Sequence, residues 1–173
     1  MGKIIAKPQL GFMEAVKLAC GRLTDFSGRS RRSEFWWFIL VFAVLAYVFS
    51  FVLGLCRIPV LALTIVTELF SLLALAAVVR RLQDTGRSKW WAICAWVLDA
   101  IGSVYTATSP VMEELQSVNP DPMAVLDLVK NPVFLCLTGV TFILEVAIFI
   151  FCLLDGKPEA NQYGESPKYI EVD

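Results

Sequence analysis

The sequence predicts an all-α polytopic membrane protein: four transmembrane helices arranged as two helical hairpins, preceded by an amphipathic interfacial helix. Three observations predict it. The 173-residue chain is 57% hydrophobic and only 18% charged, whereas soluble domains run nearer half apolar with charges spread over their surface. The charges are bunched, and the apolar runs between them are about 19–22 residues long, enough to span a bilayer core of about 30 Å at 1.5 Å per residue. Lys and Arg, finally, alternate between rich and poor connecting segments in the way that sets membrane orientation.

The elements follow in order along one membrane domain, 1–173. Residues 9–26 carry Phe12, Val16, Ala19, Leu23 and Phe26 at steps of three and four, with Glu14, Lys17 and Arg22 mostly off that line. This pattern fits a helix lying on the membrane surface at the cytoplasmic face. The spans are 35–56, 58–79, 90–108 and 133–154. In lipid every backbone group needs an internal partner, so each should be a helix. Pro59 suits the first turn of the second. The 109–131 loop holds four acids and one Lys, with Asp121 and Pro122 placed to start a short surface helix at 122–130. The tail, 155–173, is rich in turn formers and should be irregular.

Orientation follows from the cations. Lys3, Lys7, Lys17, Arg22, Arg29, Arg31 and Arg32 precede the first span, and Arg80, Arg81, Arg87 and Lys89 lie between the second and third. The other two loops hold only Arg57 and Lys130. Both termini should therefore be cytoplasmic and the 109–131 loop external. The first residues lack the apolar core and cleavage site of a secretory signal.

One phrase is written twice. Gly28-Arg29-Ser30 precedes Trp36-Trp37, and Gly86-Arg87-Ser88 precedes Trp90-Trp91. Gly permits a turn, Ser33 and Ser88 can cap the following helices, and Trp settles at the interface. Any cytoplasmic helix start favours Arg and Trp. That accounts less well for the shared Gly-Arg-Ser and for the acids before it, Asp25 and Asp84. Together "DFSGRSRRSEFWWF", "RRLQDTGRSKWW" and "NQYG" followed by Pro167 resemble the three signatures of domain of unknown function family 805. The resemblance runs from about residue 10 to 167 and implies a small multi-pass protein of the bacterial cytoplasmic (inner) membrane with no established reaction. Gln83 stands where the family usually has His, and Lys89 where it usually has Gly, so His-based proton or metal chemistry is unavailable here.

The signatures bring Arg29, Arg32, Glu34, Arg80, Arg81, Asp84, Arg87, Asn161 and Tyr163 to the cytoplasmic boundary. Glu34 and Asp84 can pair with some of the arginines in a latch that ties the tail to the bundle. Alternatively, the surplus cations can hold an anionic lipid headgroup, because Arg recognises phosphate through paired hydrogen bonds. A second set lies in the membrane. Glu68, Asp99 and Glu145 fall near mid-span on different helices, at depths of about 14–17 Å. Each shares a face with hydroxyls: Thr64 and Ser71, Ser103 and Thr106, Thr138 and Thr141. Tyr47, Ser50 and Gly54 form the corresponding stripe on the first span. Acids so placed serve either as hydrogen-bonding glue or as a proton or cation path.

Two functional readings result. The first is a non-enzymatic scaffold or lipid- or protein-interaction module. Its partners would be membrane lipids, an anionic headgroup, and a membrane protein or a second copy of the chain. The alternative is a small proton- or cation-coupled transporter using Glu68, Asp99 and Glu145. A lipid-acting enzyme ranks below both, since no nucleophile–base pair stands out. Five scattered cysteines, no CxxC and no histidine give no catalytic, metal or cofactor-binding residues, so no cofactor is expected. No nucleic-acid partner is expected either.

Overall fold

The computed structural model describes residues 3–117, 119, 121 and 123–172. The chain is mostly helical: α1 (Phe12–Cys20), α2 (Arg32–Leu55), α3 (Val60–Asp84), α4 (Trp90–Ala107), α5 (Pro110–Leu115), α6 (Ala124–Lys130) and α7 (Pro132–Leu153). Three of these, α2, α3 and α7, are long and apolar enough to cross a membrane. Helix α4 has 18 residues, also a bilayer length at about 27 Å. Three Trp residues, Asp99, Ser103, Tyr105 and Thr106 make it less apolar than the others.

The long helices pack as a cluster of α3, α4 and α7 with α2 against α3. Helix α2 lies on α3, α3 on α4 and α4 on α7, and α3 also meets α7. Small residues make close approach feasible: Ala76, Ala77, Ala92 and Ala95 are buried, as expected where van der Waals packing must hold helices together in lipid. Aromatic rings fill the α2–α3 seam, with Phe42 and Phe49 stacked on Phe70 at centroid distances of 5.1 and 4.7 Å.

Several elements depart from the sequence expectation. The all-helical expectation misses a small antiparallel sheet, in which β1 (Lys3–Ala6) pairs with β2 (Tyr169–Val172), Ile4 opposite Glu171 and Ile5 opposite Ile170. The cause is local: "KIIA" and "YIEV" are rich in β-branched residues, and turn formers dominate the rest of the tail. The amphipathic stripe at 9–26 is not one helix. Gly21 caps α1, and residues 22–27 turn under hydrogen bonds from Arg22 and Ser27 to Asp25. Those Ser27 bonds, and then Arg22, hold the Asp25 carboxyl well below its usual range.

Helix α3 runs five residues past the expected end at 79. Its last turn ends in a Schellman motif: Arg87 N–H donates to the Leu82 carbonyl at 2.8 Å and Gly86 N–H to the Gln83 carbonyl at 3.0 Å. Gly86 supplies the left-handed conformation this needs, at φ +80°. Gly28 has the same φ, so both copies of the repeated phrase do turn on their glycine. Their serines differ. Ser88 Oγ accepts from Trp90 N–H at 3.4 Å. Ser33, by contrast, lies inside α2, which starts at Arg32, and caps nothing. At the opposite end, Asn131 caps α7 through Val133 N–H at 2.9 Å. The short helix anticipated at 122–130 begins at Ala124, and Pro122 lies outside the described residues.

Candidate functional site

At the end of the bundle that carries both termini, a single carboxylate gathers three separate segments. Asp84, on the last turn of α3, is 2% exposed. Its Oδ1 accepts from Arg29 Nε at 2.9 Å, and its Oδ2 accepts from the Arg81 guanidinium at 2.6 Å. Arg29 and Arg81 are themselves 4% and 0% exposed. Buried charges of this kind persist only when paired and hydrogen-bonded, and the remaining donors are in fact used. Arg29 donates to the carbonyls of Glu159 (2.8 Å), Gly164 (3.3 Å) and Lys157. Arg81 donates to the carbonyls of Cys152 (3.1 Å), Ser30 (3.3 Å) and Leu154.

The two arginines therefore do different work. Arg81 satisfies carbonyls at the C-terminal end of α7, where helix geometry leaves acceptors without partners and favours a cation. Arg29 staples the tail. The tail reciprocates, with Lys157 N–H donating to the Asp84 carbonyl at 3.1 Å. Asn161 Nδ2 donates to the Gln83 carbonyl at 2.9 Å. Asn161 also shapes its own turn, its Oδ1 accepting from Tyr163 N–H at 2.8 Å. Tyr163 is half-buried in that turn.

The other anticipated residues stand apart. Arg80 reaches the carbonyls of Arg22 and Asp25. Glu34 is buried beside Ser30 and Arg80, but among the described residues it forms no ion pair and its Oε1 has no hydrogen-bond partner. Its anticipated pairing with the arginines is thus not realised: no described arginine comes within ion-pair distance of it, and Arg80 Nε beside it is likewise without a partner. Arg32 is exposed and approaches Asp155 at 3.8 Å. Arg87 lies 3.8 Å over the Phe151 ring, a cation–π contact. The repeated arginines, 29 and 87, thus have unlike duties. The repeated tryptophans are more alike, since Trp36 packs edge-on against Phe149 and Trp91 against Phe151, both on α7.

Gly156 was not singled out in the sequence. It is buried directly against Asp84, and a Cβ there would fall inside the carboxylate. The only local signal is a glycine just past a helix end, which many tails share. Asp155, beside it, bonds Lys168 Nζ at 2.8 Å. That hydrogen bond lowers the Asp155 carboxyl below its ordinary range and raises the Lys168 ammonium.

The acids expected at mid-span lie elsewhere. Glu68, Asp99 and Glu145 line one cavity of about 500 Å³ between α3, α4 and α7, with Thr64, Thr67, Ser103, Thr106, Thr138 and Thr141 around them. Among the described residues no three His, Cys, Asp or Glu side chains converge closely enough to hold a metal ion. Ser71 belongs instead to the α3–α4 contact, accepting from Trp96 Nε1 at 2.7 Å. The stripe on the first span does not join them: Tyr47 is 73% exposed and stacks on Phe51. Helix α2 meets α3 through its Phe face, which turns that stripe away.

The comparisons with known proteins agree on class. Inner membrane protein YhaI of Escherichia coli (strain K12) is 40% identical over 75 residues, which are 42% of this chain and 62% of that relative. Inner membrane protein YhaH of the same strain is 41% identical over 78 residues, 39% of this chain and 60% of the relative. The chain thus spans less than two thirds of the length of either relative. No solved structure matches it. The family described as "Protein of unknown function (DUF805)" matches residues 23–165, and with most of its length covered, the chain belongs to that family.

Proposed function

We propose that this is a four-span protein of the bacterial inner membrane, with both termini cytoplasmic, that works as a non-enzymatic scaffold or lipid- and protein-interaction module. The observation that carries this reading is the Asp84 clamp. One buried carboxylate fixes the entrance to α2, the end of α3, the end of α7 and the tail at a single point. Such a node fits holding a surface in shape better than turning over a substrate, since its donors and acceptors are spent on the chain itself. The inner-membrane names of both relatives support the location. Helix α4, which opens with Trp90 and Trp91, serves as the fourth span, and α1, with Phe12 and Met13 exposed, lies on the cytoplasmic interface. The β1–β2 pairing joins the two terminal segments, which supports a common side for both, and the Lys and Arg distribution favours the cytoplasm for that side.

Orientation is testable by a single cysteine at Glu165 in a Cys-free background. An impermeant thiol reagent should leave intact cells unlabelled and label the residue once the membrane is opened. Labelling from outside intact cells would reverse the topology.

The cavity favours a second reading, a small proton- or cation-coupled transporter. Three carboxyls and six hydroxyls facing one space inside an apolar bundle are costly to keep without a use. If the acids carry protons, Glu68→Gln and Glu145→Gln should fold normally yet abolish pH-driven flux in reconstituted vesicles, since Gln can hydrogen-bond but not titrate. Wild-type vesicles that show no flux above lipid background under any imposed gradient would remove this reading.

A further inference from the structure

A second polar site lies on the terminus-bearing face, away from Asp84. Residues from the start of α2, the segment before α1 and the tail line an open cavity of about 440 Å³, among them Arg31, Arg32, Trp36, Trp37, Asp155 and Lys168. Arg31 sets it apart. Its residue is only 6% exposed, yet among the described residues its guanidinium makes no hydrogen bond or ion pair, unlike those of Arg29, Arg80 and Arg81 around it. The residue is enclosed, yet its guanidinium nitrogens are not among the sealed, unpartnered polar atoms, so its open donors stay accessible and an anion can meet them. Arg31 also borders the cavity.

Its position adds to the case. Arg31 is the N-cap residue of α2 and Arg32 the first helical one, so the free amides and positive dipole end of a 24-residue helix sit at the same place. Among the lining residues Arg31, Arg32 and Lys168 give three cations against the carboxylate of Asp155, while Glu34 stands in the first turn of the same helix. The tryptophans put the cavity at headgroup depth, since Trp concentrates at the membrane–water boundary. Asp155 does not close the site: it bonds Lys168 and stands 3.8 Å from Arg32, and no bond links it to Arg31.

We infer that this cavity is a phosphate-binding site, with Arg31 as its buried anchor, the α2 N-terminus as its amide cradle, and Arg32 and Lys168 as its outer cations. Planar guanidinium and helix-end amides both match phosphate oxygens. The same chemistry would take the phosphodiester of an anionic lipid or a free phosphate. The inference rests on the interaction-module reading and names one ligand class for it. It does not involve Asp84.

The test uses the full-length protein, stripped of lipid in neutral detergent, and counts bound species by native mass spectrometry. The probes are phosphatidylglycerol, phosphatidylcholine and inorganic phosphate. For a headgroup site, the first phosphatidylglycerol should bind more tightly than phosphatidylcholine, and millimolar inorganic phosphate should displace it. For a free-anion site, inorganic phosphate should bind saturably with no preference among the lipids. In either case Arg31→Gln should weaken the preferred probe about tenfold or more, the loss expected for a charge-assisted bidentate contact. Exposed Arg32→Gln should weaken it less. Asp155→Asn should strengthen it, an effect that a purely structural role would not produce. The idea is overturned if neither probe binds the wild type saturably. It is equally overturned if folded Arg31→Gln binds as the wild type does, or, should Arg31→Gln not fold, if Arg32→Gln and Asp155→Asn as separate single variants each bind as the wild type does. None of these outcomes changes the melting of Asp84 variants or the labelling at Glu165, so failure here is separable from failure of the scaffold reading.

Discussion

Asp84→Ala should lower the stability of the detergent-solubilised protein by about 3–5 kcal/mol, the usual cost of removing one partner from a buried charge pair. For a chain of this size that is on the order of a 10 °C fall in melting temperature. The physical reason is what remains. Arg29 and Arg81 are 4% and 0% exposed, and both would keep their charge with no counter-ion. The carbonyls they bond cannot supply a full negative charge. Asp84→Asn keeps the shape and one acceptor oxygen but not the charge, so it should lose most of the same stability. Insertion should be normal, because the apolar runs that direct it are unchanged. Melting of purified Asp84→Ala and Asp84→Asn against wild type checks this. Equal melting temperatures would mean that the clamp contributes nothing to holding the tail.

The second large effect belongs to a residue without a side chain. Gly156→Ala should destabilise by about 3 kcal/mol, the upper end of the cost of overpacking, because the added Cβ falls inside the Asp84 carboxylate. Either the tail must move off α3 or the carboxylate must swing off an arginine. Both routes break the clamp. The double variant offers a sharper check than either single one. With Asp84→Ala already in place there is room for the methyl group, so adding Gly156→Ala should cost much less than it does alone. Strict additivity in a thermal-melt cycle would show that the two residues do not sense each other.

The apolar runs made the long helices legible, since nothing else in a chain explains some twenty residues almost without charge. The repeated Gly-Arg-Ser also pointed at the right end of the molecule. What stayed hidden is instructive at Arg80, Arg81 and Asp84. A run of charges after an apolar stretch reads as a solvated loop, yet these residues continue α3 and are among its most buried. The sequence offers no sign that the carbonyls of Arg22 and Asp25, those of Cys152 and Leu154, and the Arg29 guanidinium will serve these three in place of water. Gly156 was illegible for a related reason: its requirement comes from a carboxylate 72 positions earlier in the chain. Arg31 was passed over as one of three arginines within four residues, and only burial distinguishes it from Arg32. The sheet was missed because "KIIA" and "YIEV" are short, and each makes a strand only in the presence of the other.

That last pairing has a bearing on biogenesis. Strand β1 is made first, but the residues it pairs with emerge about 160 residues later, an interval of roughly 10–30 s at bacterial elongation speeds of about 5–20 residues per second. Throughout that time "KIIA" is an unfilled strand edge with two consecutive isoleucines, the kind of template that invites pairing with another chain. Every span must be threaded before it can be covered. Zipping β1 to β2 therefore marks the end of assembly, and a nascent chain stalled short of residue 169 would leave the ribosome with that edge open to quality-control proteases.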